Sequence, residues 1–131
     1  MRRGDIIFSQ PSLKKILESI NPSRLDDISE FMANHIVKEI KLQEGDVDYD
    51  ILSEHILKWN KANHLSLNRI EKKGNQINEE FDVFLSRHSL GKNWSEIECK
   101  TYKKAFEIIG NVVFSCEYDE DMFSLTVRKQ T

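Results

Sequence analysis

The chain has little of the material from which several protein classes are built. Its 131 residues include two cysteines, Cys99 and Cys116, which are too few for a disulfide framework and form no C-x-x-C pair. We interpret both as reduced thiols, with a single disulfide between them as the alternative. No apolar run approaches the ~20 residues that a membrane-spanning helix needs. Residues 1–8 also lack the apolar length of a signal peptide, so the sequence predicts a cytoplasmic protein with no membrane partner.

An excess of charge of one sign is missing as well. Nineteen Lys and Arg residues stand against 22 Asp and Glu residues, and the formal net charge is −3 at pH 7. Residues 1–64 contain 9 basic and 11 acidic side chains, and residues 65–131 contain 10 and 11, so neither half is a basic arm. Because phosphate attraction supplies most of the strength of nucleic-acid binding, this balance disfavours DNA as a partner. Hydrophobic residues make up 39% of the chain, which is enough for a core.

Prolines and glycines are also scarce, with two and five in the chain, and no linker or repeat divides it. We therefore expect residues 1–131 to form a single domain. Within residues 1–64, apolar side chains recur at helical spacing and predict three helices, of which the first two begin at Pro11 and Pro22. Asn21 and Asp48 are expected as the N-caps of the second and third helices. Gly45 is expected to end the second helix.

The spacing of apolar residues changes from helical to alternating at Leu65. Alternation predicts two strands, followed by a helix that Asn93 and Glu96 open as a capping box and Gly110 ends. Two more alternating strands follow that helix. Residues 65–131 thus have the order ββαββ. The fold class is α+β, with three N-terminal helices followed by a four-stranded antiparallel sheet.

The densest group of polar side chains lies between the second strand and the fourth helix, at Arg87, His88, Lys92 and Asn93. A helix N-terminus carries unsatisfied N–H groups and a partial positive charge, and both suit an anion. These four residues are therefore candidate ligand-binding residues for a phosphate, a carboxylate or a nucleic acid. The alternative is a tight strand-to-helix turn, in which Gly91 takes a positive φ and the basic side chains are only solvated.

His88, Gly91, Trp94 and Ser95 form an H-x-x-G-x-x-W-S segment, and an amphipathic helix and a closing hairpin follow it. The segment resembles the C-terminal half of small uncharacterised archaeal proteins, over about residues 60–128. Some relatives of those proteins carry a ribbon-helix-helix DNA-binding segment ahead of it. The resemblance implies an archaeal cytoplasmic protein of regulatory type, and it supplies no catalytic residue, ligand or cofactor.

A ribbon-helix-helix would have to lie in residues 1–41, with Arg3 to Ser9 as its strand and the first two helices behind it. Only Arg2 and Arg3 would help that strand to attract phosphates, and the rest of it suits a DNA-facing surface poorly. These two arginines are the candidate nucleic-acid-binding residues. DNA binding through this segment is the third of our hypotheses.

No arrangement of residues in the sequence is competent for catalysis or metal binding. Cys99 and His88 are eleven positions apart, and nothing near them in sequence would orient the histidine as a base. The four histidines have no zinc-ligand spacing with one another, with cysteines or with carboxylates. We therefore predict no catalytic residue, no metal and no cofactor, and an enzyme is the least favoured class.

The leading hypothesis is a non-enzymatic regulatory or protein-interaction module that forms a homodimer. A small sheet leaves edge strands, and a short chain often buries leftover apolar surface against a second copy. Four residues fall off the main apolar stripes and are candidates for a second apolar face or for an interface, with scattered exposed apolar residues as the alternative: Ile7, Phe8, Phe84 and Val113. A domain that senses a small anion or another small ligand through the 87–94 turn is the second hypothesis.

Overall fold

Three helices precede the first strand, and a fourth lies between two pairs of strands. The structure is a computed structural model that describes residues 9–75 and 79–129. The helices are α1 (Gln10–Glu18), α2 (Leu25–Glu44), α3 (Tyr49–Ala62) and α4 (Lys92–Ile108), and a 3-10 turn at Pro22–Arg24 leads into α2. The strands are β1 (Ser66–Lys73), β2 (Glu80–Arg87), β3 (Val113–Tyr118) and β4 (Met122–Arg128). The α+β class, the helices ahead of the strands and the four-stranded antiparallel sheet are confirmed.

Two of the three residues predicted at helix ends lie there, Asp48 and Gly45, whereas Asn21 caps the 3-10 turn and α2 itself begins three residues later than predicted, at Leu25. The Asp48 carboxylate accepts a hydrogen bond of 2.8 Å from the backbone N–H of Ile51 and caps α3. The Asn21 side chain accepts one of 3.1 Å from the N–H of Ser23, at the start of the 3-10 turn. Gly45 ends α2 with a φ of 84°, which a residue with a Cβ rarely adopts. Local chemistry therefore sets these helix bounds. Within the described ranges, no helix combines the length and the apolar content that crossing a bilayer requires.

Asn93 does not cap α4, which corrects the capping-box prediction. The N-cap is Gly91, which has no side chain to accept a capping bond. The Asn93 amide instead donates hydrogen bonds of 2.9 and 3.2 Å to the carbonyls of Leu17 and Ile20. The last carbonyls of a helix have no partner inside it, so this donor from α4 satisfies the C-terminal end of α1. A contact distant in sequence overrides the local capping preference.

The sheet has the strand order β1-β2-β4-β3, and neighbouring strands run antiparallel. The two central strands are β2 and β4. Buried side chains of these strands pack on the face that α4 covers: Phe84, Phe123, Leu125 and Val127. The centre of the Phe106 ring of α4 lies 5.5 Å from that of Phe84 and 5.4 Å from that of Tyr49 on α3. These aromatic contacts join the sheet, α4 and α3 in one core.

Two predicted interface residues belong to this core, which corrects their assignment. Phe84 is 1% exposed, and Val113 packs against the same cluster. The other two, Ile7 and Phe8, lie outside the described residues. The sequence alternation on β2 misleads because the more apolar face of the strand, with Phe81, Val83 and Leu85, points away from α4, whereas Phe84 shares the covered face with Asp82 and Ser86. Period-two alternation alone does not say which face is covered.

A buried ion pair fixes the face that β2 turns toward the helices. Asp82 is fully buried, and its Oδ2 accepts hydrogen bonds of 2.9 and 2.8 Å from Nε and Nη2 of Arg69 on β1. The hydroxyl of Tyr49 on α3 donates to the same oxygen. Burial, and then the nearby Asp82 carboxylate, raises the pKa of Tyr49, so the phenol stays a donor. A slip of one residue along β2 would separate Asp82 from both partners and leave a buried charge unpaired.

Candidate ligand-binding site

A cavity of about 170 Å³ lies between α2, α3 and α4. Each helix contributes side chains that are about one turn apart, the spacing that places residues on one helix face. The lining residues are Phe31, Met32, His35 and Ile36 from α2, His55, Ile56 and Trp59 from α3, and Trp94, Glu98, Thr101 and Tyr102 from α4. The lining is mostly apolar, so its few polar groups decide what the cavity recognises. We call it the helical pocket.

Two polar bonds hold the three helices around the helical pocket. On α2, the Ser29 hydroxyl donates a hydrogen bond of 3.2 Å to the carbonyl of Ile97 on α4. On α3, the Asn60 amide donates one of 2.9 Å to the hydroxyl of Tyr102 on α4. Ser29 and Asn60 are both fully buried, so water does not compete for these bonds. The walls of the pocket are therefore fixed in the folded protein.

A buried carboxyl group lines the helical pocket. Glu98 is 2% exposed, and its Oε1 accepts a hydrogen bond of 2.9 Å from the Tyr102 hydroxyl. Burial raises the pKa of Glu98 to about 7, against the smaller lowering effects of hydrogen-bond donors on Tyr102, Asn60 and Trp94. Near neutral pH the group therefore exchanges between its neutral and its ionised form.

Several buried polar atoms next to this carboxyl group have no hydrogen-bond partner within the described part of the chain: Glu98 Oε2, Thr101 Oγ1, Trp94 Nε1 and Asn60 Oδ1. The Trp94 donor is near enough to Glu98 to favour its ionised form, yet it makes no bond of standard geometry with the carboxylate. Folded proteins pair the large majority of buried polar groups. Unpaired atoms gathered beside an apolar pocket indicate a place for the polar groups of a ligand.

Aromatic rings form the more exposed part of the pocket wall. Phe31 is 72% exposed and Trp59 is 40% exposed, although both are large apolar side chains. The Trp59 ring is stacked on that of Trp94, with 6.4 Å between centroids. The Phe31 ring lies parallel to that of His35, with 6.2 Å between centroids. Exposed aromatic residues beside an apolar cavity are typical of a binding site.

The helical pocket has no fixed positive charge, because none of its lining residues in the described chain is Lys or Arg. Its two histidines come from α2 and α3. Burial lowers the pKa of His55, which is therefore mainly neutral at pH 7. His35 lies 3.4 Å from the Glu39 carboxylate and is more than half exposed. Glu98 is the one carboxylic acid of the lining.

The four residues predicted at the 87–94 turn are not gathered into one anion site. Arg87 is exposed at the end of β2, and Lys92 is exposed at the start of α4. His88 uses both ring nitrogens within the turn, because Nε2 lies 2.6 Å from Ser95 Oγ and Nδ1 accepts a bond of 3.1 Å from the Leu90 N–H. Burial also lowers the pKa of His88. The turn therefore fits the structural alternative better than the anion site.

A shallow depression of about 350 Å³ beside this turn carries mixed charge. It is lined by two ammonium groups, three carboxylates and three uncharged residues: Lys14, Lys92, Glu18, Glu120, Asp121, Ser89, Gly91 and Asn93. Arg87 and His88 are not among these residues. The carboxylates outnumber the ammonium groups, so the field at the depression does not favour an anion.

The remaining candidates from the sequence lie apart from the helical pocket. Arg2 and Arg3 lie outside the described residues, so DNA binding through residues 1–41 stays a prediction. Within the ranges that the structure describes, no group of three or more His, Cys, Asp or Glu side chains is placed to hold a metal ion. Cys99 is buried under the sheet and is hydrogen-bonded at 3.8 Å to the carbonyl of Ser124.

Sequence reasoning missed the helical pocket because its walls come from three helices distant in sequence. One signal was available on α4, where Glu98 lies four residues after Trp94 and four before Tyr102. That spacing puts an acid on the aromatic face of an amphipathic helix, where a charge is not expected. A carboxylate on an apolar stripe is a recognisable mark of a buried polar site.

The fold and the pocket define a small α+β domain with a cavity lined by three helices. No protein-family model matches the chain, and comparison with curated proteins and with solved structures gives no significant match. The resemblance of residues 60–128 to archaeal proteins thus stays a prediction.

Proposed function

We propose that the protein is a non-enzymatic, small-molecule-binding domain of regulatory type, whose ligand occupies the helical pocket. The observation that supports this most directly is an apolar cavity of about 170 Å³ beside four buried, unpaired polar atoms, among them Glu98 Oε2. Protein cores are close-packed and satisfy their polar groups. A binding site combines the opposite properties, which are open apolar volume and a few convergent polar atoms.

The volume limits the ligand to a small compound. An engineered apolar cavity of about 150 Å³ is known to admit benzene, so the helical pocket suits one aromatic ring or a branched aliphatic group, about 6–9 non-hydrogen atoms. A ligand of this size would contact α2, α3 and α4 at once. Binding would stabilise the folded state by about 2.7 kcal/mol at a ligand concentration a hundred times the dissociation constant. Such a ligand changes how three helices hold together, and this is the means by which it would regulate.

The test uses the two tryptophans of the chain, Trp59 and Trp94, since both line the pocket. We expect one-ring compounds to change tryptophan fluorescence saturably and to raise the melting temperature. Ile36→Phe fills the pocket and should abolish both effects. Leu42→Phe, on the same helix but 78% exposed and outside the lining, is the matched control and should bind normally. No response to a panel of neutral, cationic and anionic one-ring compounds would overturn the proposal.

A second candidate function, homodimer formation, draws support from the face of the sheet that points away from α4. Alternation places Ile70, Phe81, Val83 and Phe114 on that face, where the Phe81 and Phe114 rings meet edge to face at 4.7 Å. Phe114 is 53% exposed and Ile70 is 42% exposed. An apolar sheet face of this kind is commonly covered in an assembly.

This sheet face takes the place of two interface residues that the sequence predicted, Phe84 and Val113, because both belong to the core. We expect the wild-type chain to scatter light as a dimer at high micromolar concentration and Phe114→Asp to scatter as a monomer. Leu42→Asp is the control, because Leu42 is 78% exposed and lies on α2 rather than on the sheet. A wild-type monomer at that concentration contradicts the proposal.

A further inference from the structure

We infer that the helical pocket selects small organic cations, namely ammonium ions that carry a methyl, alkyl or benzyl group, over neutral molecules of the same shape. The inference rests on the proposed function and names the chemical class of its ligand. It depends on three features of the pocket: the Glu98 carboxyl group, the lack of a fixed cation in the lining, and the aromatic wall.

One oxygen of the Glu98 carboxyl group can accept a further hydrogen bond. It is 2% exposed, and Tyr102 donates to Oε1 while Oε2 has no partner among the described residues. A buried carboxylate is costly unless it is paired and hydrogen-bonded. An N–H donor would satisfy Oε2, and a positively charged N–H donor would also neutralise the ionised form. A cation therefore gains more from this group than a neutral donor does.

Among the lining residues that the structure describes, none carries a fixed positive charge to pair with Glu98. None of the pocket residues in the described chain is Lys or Arg. On α3, His55 is held mainly neutral by burial, and on α2 His35 is directed to the Glu39 carboxylate at 3.4 Å. The groups nearest Glu98, which are Tyr102, Asn60 and Trp94, are uncharged. A bound ligand would therefore supply the positive charge that pairs with the ionised Glu98 carboxylate.

The aromatic wall favours the same class of ligand. Four rings line the pocket, those of Phe31, Trp59, Trp94 and Tyr102. The face of an aromatic ring attracts a cation, most strongly for Trp and when water is excluded. Aromatic rings with a carboxylate among them are a recurring means of holding an ammonium group, whereas a carboxylate ligand would be repelled by Glu98. The expected order of affinity is ammonium, then neutral, then carboxylate.

The experiment compares three probes of nearly one shape: benzylamine, benzyl alcohol and benzoate. Each is titrated into the wild-type protein at about pH 8, above the Glu98 pKa of about 7, with tryptophan fluorescence as the readout. We expect benzylamine to bind at least about tenfold more tightly than benzyl alcohol. Benzoate should bind most weakly. This comparison needs no variant, so it does not depend on the folding of one.

Glu98→Gln then tests the residue. It keeps the side-chain shape, and we expect it to bind benzyl alcohol as before and to lose the preference for benzylamine. Glu107→Gln is the matched control, because Glu107 is exposed on the same helix and does not line the pocket. It should retain the preference. Retention of the preference in Glu98→Gln would overturn the role of this carboxyl group.

Different experimental results would overturn the inference and the proposed function. Equal affinity for benzylamine and benzyl alcohol in the wild-type protein overturns cation selection and leaves the ligand pocket standing. Binding of other one-ring compounds but not of benzylamine does the same. If no compound of the panel binds, both the inference and the proposed function are wrong.

Discussion

The buried Glu98 carboxyl group should make the folded protein less stable as the pH rises, and Glu98→Gln should remove that dependence. The folded-state pKa of about 7 lies above the reference value of 4.5 because burial disfavours the charge. Between these two values the folded state holds a proton that the unfolded state has released. The free energy of unfolding therefore falls as the pH rises through this window. Gln stays neutral and retains its bond from Tyr102 at every pH.

The size of the effect follows from the two pKa values. A difference of one pKa unit corresponds to 1.36 kcal/mol, so a rise from 4.5 to about 7 corresponds to about 3 kcal/mol. Relative to Glu98→Gln, the wild-type protein should lose about 3 kcal/mol of unfolding free energy between about pH 4 and pH 8. Most of the loss should fall below pH 7, and the difference should be constant above that range.

The measurement is urea denaturation of both proteins across this pH range, followed by tryptophan fluorescence and circular dichroism. The difference between the two proteins removes the titration of other groups. A wild-type minus Glu98→Gln difference that stays level or rises with pH would refute the reasoning. It would mean that Glu98 is solvated or paired with a cation in the folded protein.

Three further predictions concern the core, the thiols and the turn. Phe106→Ala should lower the free energy of unfolding by about 3–5 kcal/mol, measured by urea denaturation, because the ring is fully buried between Phe84 and Tyr49. Ile108→Ala, at a half-exposed site on the same helix, should lower it by much less. Cys116 should react with an aromatic disulfide reagent before Cys99, because Cys99 lowers the pKa of Cys116 and is itself buried with a raised pKa; equal rates would contradict this. Gly91→Ala should lower stability by about 1–2 kcal/mol through strain at φ 93°, and an unchanged melting temperature would show that the turn adapts.

The fold was largely predictable where local chemistry decides it. Gly45 and Asp48 mark the end of α2 and the start of α3 through bonds within a few residues, and Asn21 marks the 3-10 turn that leads into α2. Asn93 misled because its partners, the last carbonyls of α1, are more than seventy residues away. β2 misled because its more apolar face, with Phe81, Val83 and Leu85, points away from α4. The covered face carries Asp82, which is buried there in a salt bridge with Arg69 that only the folded sheet brings together.

The helical pocket was less predictable for the same physical reason. Its volume depends on how α2, α3 and α4 pack, and periodicity predicts only that each helix has an apolar face. The sequence did contain the position of Glu98 between Trp94 and Tyr102, at intervals of one helical turn. If Glu98 is assigned to the apolar face of α4, a buried carboxyl group follows. Most acids are solvated, and the same assumption for Glu98 predicts no buried site.

The H-x-x-G-x-x-W-S segment connects the turn to the helical pocket. Gly91 has a φ of 93° and lets the chain enter α4 directly, while the His88 ring is joined to Ser95 at 2.6 Å. These two features flank Trp94, whose ring stacks on that of Trp59 in the pocket wall. The segment is therefore continuous with the wall beside Glu98, and ligand binding by the turn itself stays a prediction. A substitution such as His88→Ala should weaken binding of a one-ring ligand without touching the pocket, and unchanged affinity in a folded His88→Ala protein would separate the turn from the site.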